Sequence, residues 1–174
     1  GEYEAFQHVL KNASGNIRRK VHELFGDTLR ANEERELCTL IYYPEQKLEL
    51  VKQAESDIID WYHITIHHLV DVCRDVSSKY TRSKVRKSLP VDFSYIIQEL
   101  LHEHSEDKDK ADYVSAIIKT IISTGRADDF IIALCGVIQR LSIDQLHILG
   151  DVYDRGPGAH IVMDTLMNYH TWDI

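Results

Sequence analysis

Apolar positions recur at three- and four-residue intervals along most of this sequence, the spacing that lays one stripe along a helix. The stripe is clearest between Pro44 and about Tyr80, where Leu48, Val51, Ile58, Trp61, Ile66, Leu69, Val72 and Val76 keep the period. Similar spacing predicts helices over 2–13, 16–25, about 32–41, 93–103, 111–124 and 127–140. Turn and cap chemistry marks the ends. Asn12-Ala13-Ser14-Gly15 closes the first segment, Gly26 can take a left-handed cap, Pro44 suits a first helical position, and Asp92 is a candidate N-cap. His104 to Lys110 (HSEDKDK) reads as a charged connector, and Gly125 joins the last two helices.

Beyond residue 140 the period changes. Gln145-Leu146-His147-Ile148-Leu149-Gly150 is a short apolar run ending in glycine, the profile of a buried strand. Ile161, Val162, Thr165, Leu166 and Tyr169 resume helical spacing, and Thr171-Trp172-Asp173-Ile174 resembles the opening of another strand. The predicted fold class is therefore mainly α with a C-terminal βαβ element. A sheet that stops as its second strand begins is incomplete, a first sign that the chain is a piece of something larger.

Composition narrows the class. A 174-residue chain, 44% hydrophobic and 28% charged, can bury one full core and has the make-up of a soluble globular protein. No apolar run approaches the roughly 18 residues of a membrane span. The opening GEYEAFQHVLKN lacks the basic and apolar regions of a secretory signal. A net charge of -8 argues against a nucleic-acid or membrane surface, while leaving room for a local basic patch. No nucleic-acid and no membrane partner is expected. Cys38, Cys73 and Cys135 are odd in number and widely spaced, which favours reduced thiols and a cytoplasmic location.

The chemistry is concentrated in Gly150-Asp151-Val152-Tyr153-Asp154-Arg155-Gly156-Pro157. Asp, Gly and Pro are ordinary turn residues, so an acidic surface turn is one reading. Its place directly after an expected strand and before an expected helix favours the other, since ligands bind at strand ends in such folds. There Asp151 is positioned to ligate a hard cation, and Asp154 to orient a histidine. Arg155 offers a planar fork for phosphate oxygens.

GDVYDRG resembles the G-D-x-x-D-R-G signature of the phosphoprotein-phosphatase branch of the calcineurin-like metallophosphoesterases. The longer string LHILGDVYDRGPGAHIVMDTLMNYHTWDI resembles the class III fructose-1,6-bisphosphatases of bacteria, as do GEYEAFQHVLKNASG, IYYPEQKLELV, VSSKYTRSKVRKSLP and IIKTIISTGRADDFIIAL. The resemblance spans essentially the whole chain; Ala159 stands where proline is expected. It implies part of an α/β metallophosphoesterase fold carrying a helical insertion. Residues 1–26 would start the phosphoesterase core, 27–126 would form the insertion, and 127–174 would return to the core with the motif. It further implies Asp151 as a bridging metal ligand, Asp154 as the partner of a general-acid histidine, and Arg155 as the holder of the scissile phosphate. Manganese is the implied metal, in a two-metal site, and the C1 phosphate of fructose 1,6-bisphosphate the implied target, in gluconeogenesis. Gly1 would be the glycine of D-x-H-G, and Ile174 would stand shortly before G-N-H-D. The remaining ligands would then flank the chain, and the isolated chain is expected to be inactive.

Other candidates are less specific. Ser77 to Ser88 (SSKYTRSKVRKS) carries Lys79, Arg82, Lys84, Arg86 and Lys87 and no acid. It is either a solvated face or, through Arg82, Lys84 and Arg86, a receiver for the second phosphate of a bisphosphate or for an anionic effector. His63, His67 and His68 have a spacing that can hold zinc, but no third-ligand signal accompanies them. His147 reads as a core residue, and His160 as either a substrate contact or a helix-start residue. The cysteines have no base nearby in sequence. A non-catalytic helical binding or regulatory domain is the alternative function, and a homo-oligomer is one way to cover exposed sheet edges.

Overall fold

The computed structural model describes residues 15–102 and 108–142, together with the backbone of residues 146–147 and 172–173. The first two stretches form a bundle of helices. Residues 15–25 are helical (α1), followed by α2 (Ala31–Tyr42), α3 (Pro44–Ala54), α4 (Ile58–Ser77), α5 (Arg82–Ser88), α6 (Ser94–His102), α7 (Lys108–Ser123) and α8 (Ala127–Leu141). A single 3-10 turn, Val91–Phe93, leads into α6.

The centre of the bundle is α8. Phe130, Ile131, Leu134, Cys135, Val137, Ile138 and Leu141 are all buried, so this helix is apolar on more than one side and must be surrounded. Its most extensive partner is α4, and α2, α3, α5 and α7 also lie against it. Ile17, Val21 and Phe25 of α1 join the same apolar cluster. Burying side chains of this size contributes about 1.5–3 kcal/mol each before conformational entropy is charged against it.

Local chemistry explains the element ends. Glu55-Ser56-Asp57 divides the long apolar stripe of 44–80 into α3 and α4, because the Asp57 side chain caps α4 by accepting from the Asp60 amide at 3.1 Å. Thr81 caps α5 in the same way, accepting from the Lys84 amide at 3.3 Å. Gly125, at φ 75°, ends α7: its N–H bonds to the Ile122 carbonyl, and the Arg126 N–H to Ile121, each at 3.1 Å. Gly26, expected to be left-handed, is not. Its N–H reaches the His22 carbonyl at 2.8 Å, and an added Cβ would stand 2.7 Å from that oxygen, so a close approach requires the glycine. The expected charged connector is also shorter than HSEDKDK, since Lys108 to Lys110 already belong to α7.

The expected C-terminal βαβ element is corrected. The described structure is overwhelmingly helical, and extended backbone is confined to Leu146–His147 and Trp172–Asp173. These two residue pairs run parallel, Leu146 opposite Trp172 and His147 opposite Asp173. The described residues supply only two to each strand, too few to make a sheet layer. The expectation rested on two short runs, 145–150 and 171–174, and periodicity in runs that short cannot separate a strand from other buried backbone. Residues 148–171, where the intervening helix was expected, lie outside the described residues, as does the helix expected over 2–13.

Candidate functional site

Asp151, Asp154, Arg155 and His160 also lie outside the described residues. What the structure does place is the basic run and the helices around it.

Thr81 starts a helix there, so Arg82 and Arg86 fall four apart on one face of α5. Both line a cleft of about 250 Å³ between the C-terminal end of α4, α5 and α6. Arg74 of α4 and His102 of α6 add cationic or protonatable groups, and Ser78 and Gln98 add polar ones. Among the described residues no carboxylate lines this cleft. Arg74 is held in place, donating to Asp71 Oδ1 at 3.1 Å and to the Leu100 carbonyl at 2.8 Å. Lys84, named with the two arginines from sequence, does not line the cleft. Its ammonium lies 4.5 Å from the centre of the Tyr80 ring, with Lys79 on the same ring at 5.3 Å.

Hydrogen bonds tie the cleft to the end of the central helix. The Tyr80 hydroxyl donates to the Leu141 carbonyl at 3.1 Å. From the other side Arg140 donates to the Ser88 carbonyl at 2.8 and 3.1 Å. Both ends of the 80–88 segment are thus fastened to the last turn of α8, the helix that precedes β1 (Leu146–His147) and then, in sequence, the GDVYDRG motif.

A second cleft, of about 420 Å³, opens between α2, α3 and the start of α4 and has the opposite sign. Glu33, Glu36, Glu55, Asp57 and Asp60 line it, with Lys47 and His68. Several of these charges are already paired. Lys47 bonds Glu36, and Glu33 accepts from the Arg30 guanidinium at 3.0 Å and the Arg30 amide at 2.8 Å. Those bonds hold the Glu33 carboxyl below its ordinary range.

The histidines separate in space. His63 and His67 stack at 4.9 Å with 8° between ring planes, and His67 Nε2 lies 3.4 Å from Ser115 Oγ. His68 instead packs on Phe25, centroids 4.9 Å apart. Burial pushes the pKa of both His67 and His68 down, with the neighbouring His63 adding to the effect at His67. Among the described residues no group of three or more His, Cys, Asp or Glu side chains could hold a metal. Cys38, Cys73 and Cys135 are buried and unpaired, and burial pushes the Cys73 thiol up to about 12, so no thiolate nucleophile is present there. No described helix is long and apolar enough to cross a membrane.

Sequence reasoning missed Arg74, Gln98 and His102 as cleft residues. They come from α4 and α6, on either side of the basic run, and no local pattern marks them. The Thr81 cap, a threonine directly before Arg82-Ser83-Lys84, was the signal that the run is a helix with a defined arginine face.

Set against known proteins, the whole chain falls within a family of phosphatases. A family model described as Firmicute fructose-1,6-bisphosphatase matches residues 1–174, and the chain belongs to that family. Similar proteins named fructose-1,6-bisphosphatase class 3 occur in Bacteroides thetaiotaomicron, 71% identical over 174 residues, and in Porphyromonas gingivalis, 66% identical over the same span. One from Clostridium novyi is 62% identical. All of this chain is covered in each case, but only 26% to 27% of those relatives' lengths, so the chain spans about a quarter of them. No solved structure matches the chain.

Proposed function

We propose that the protein carrying this chain is a metal-dependent phosphatase that hydrolyses the C1 phosphate of fructose 1,6-bisphosphate. The family match over every residue carries this reading, because it covers the GDVYDRG motif and the helical unit together. The names those relatives carry supply the substrate class.

The motif supports a metallophosphoesterase mechanism. Asp151 is the oxygen donor this chain would contribute to a divalent metal, an acceptor type that suits manganese. A bound metal pair would supply Lewis acidity toward the phosphoryl oxygens and a nucleophilic water. Arg155 would hold two phosphoryl oxygens at once through its planar fork. Asp154 would accept from a histidine ring N–H and keep the other ring nitrogen aimed at the leaving oxygen.

The reading extends to gluconeogenesis as the setting, the cytoplasm as the location and residues 27–126 as an insertion in the phosphoesterase core. Buried, unpaired cysteines are consistent with a reducing compartment. α1 and α8 would tie such an insertion to the core, since both pack into the same apolar cluster as the helices between them.

The test is phosphate release from fructose 1,6-bisphosphate by the intact protein with Mn2+. Activity should fall at least about a hundred-fold with Asp151→Asn or with chelator, on the scale of losing electrostatic stabilisation of the transition state. An intact, folded protein that releases no phosphate with Mn2+, or an Asp151→Asn variant with full activity, would overturn it.

A further inference from the structure

We propose that the cleft between the end of α4, α5 and α6 is a binding site for the phosphate group of a small ligand, with Arg82 and Arg86 as its charged donors. The two arginines share one face of α5 and both line the cleft. They are exposed, and neither guanidinium forms an ion pair or hydrogen bond with another described residue. Two guanidiniums one helical turn apart, neither with a partner among the described residues, present several N–H donors to one anion, the arrangement that favours phosphate oxygens.

Helix stability does not account for Arg82. It occupies the first turn of α5, where the helix dipole disfavours a cation, and that turn holds no acid to offset it. Nor does the overall charge of the chain, which is -8. The cationic lining is completed by Arg74, already fixed to Asp71 and Leu100, so the pocket wall is in place without a ligand.

Size restricts the ligand. A volume of about 250 Å³ lies below the usual range for drug-sized ligands and suits a phosphorylated metabolite of a few carbons. A nucleic-acid strand is disfavoured, because Tyr80, the one Phe, Tyr or Trp among the described lining residues, already carries two lysine ammoniums. The phosphate has two sources of the same chemistry, the second phosphate of a bisphosphate substrate or a separate phosphorylated metabolite.

Titration of inorganic phosphate into the intact protein, followed by calorimetry, reads the site without turnover. Its failure is therefore distinguishable from a failure of the hydrolysis reading. Arg82→Gln with Arg86→Gln should weaken one phosphate-binding event at least about ten-fold, as expected for lost charge-assisted bonds. Should that pair not fold, Arg86→Gln alone carries the test, with a several-fold loss expected. Wild-type phosphate affinity and stoichiometry in a folded glutamine variant would sink the proposal. Steady-state kinetics then separates the sources. A higher KM for the bisphosphate in the glutamine variant assigns the site to the substrate's own second phosphate. An unchanged KM with the binding event lost assigns it to a separate metabolite.

Discussion

Helix α4 has an acidic cleft at one end and a basic cleft at the other, and the two differ in how their charges are used. At its start, Asp57 and Asp60 favour the helix through capping and the dipole, while Glu33 and Glu36 across the cleft are paired to Arg30 and Lys47. Those charges are explained by the fold. At its other end Arg74 is likewise spent, on Asp71 and the Leu100 carbonyl, but Arg82 and Arg86 meet no acid among the described residues. A cluster of charge is therefore a poor guide by itself. The informative residue is the one that lines a cavity and whose charge no fold interaction uses.

Both clefts depend on the packing of α8, and the largest predicted effect removes that common support. Phe130 is fully buried and meets Phe93 edge-on at 5.3 Å. Phe130→Ala should cost about 3–5 kcal/mol of unfolding free energy by denaturant titration and loosen both clefts together. A smaller loss confined to one cleft would show that they do not share a core.

Arg140→Ala should separate the two ends. It removes the two hydrogen bonds to Ser88 and is expected to cost about 1.5–3 kcal/mol, the range for bonds to charged groups. Amide hydrogen exchange should accelerate in α5 and stay unchanged in α3. Equal acceleration in both would break the comparison.

Acid should act on the acidic side first. His68 lines that cleft, and burial holds its pKa below 6.5 in the folded chain. The neutral ring is the form the fold favours, so stability is fully present above pH 6.5 and is lost as pH falls through the lower, folded value. His68→Gln should flatten this part of the stability curve, leaving the contribution of His67; an unaltered curve would remove His68 from the account. The smallest effect is expected from Glu36→Gln, within about 0.5 kcal/mol by thermal unfolding, because the Glu36 carboxylate that pairs with Lys47 is mostly exposed to water.

Much of the helical framework was legible in the apolar spacing. The Gly125 junction and the helices near 32–41 and 127–140 follow directly from period and punctuation. The division of 44–80 at Glu55-Ser56-Asp57 was not read, because Ile58 keeps the helical period across the gap and masks the Asp57 cap. The C-terminal strand–helix–strand pattern exceeds what its short runs can carry, since only two paired residues on each side are extended in the described structure.

By itself the sequence pointed to the family, and it nominated Asp151, Asp154 and Arg155 as candidates for the proposed chemistry. Motif spacing is a local property, and the chain records it directly. It also recorded a basic run at 79–87, without saying which cations were available. Only the tertiary structure decided that. It set Lys84 on the Tyr80 ring, tied Arg74 to Leu100, fastened the segment at Tyr80 and Ser88 to the end of α8, and left Arg82 and Arg86 facing a cleft whose other walls come from α4 and α6. The physical reason is that a charge's availability depends on its partners, and those partners come from elements far apart along the chain.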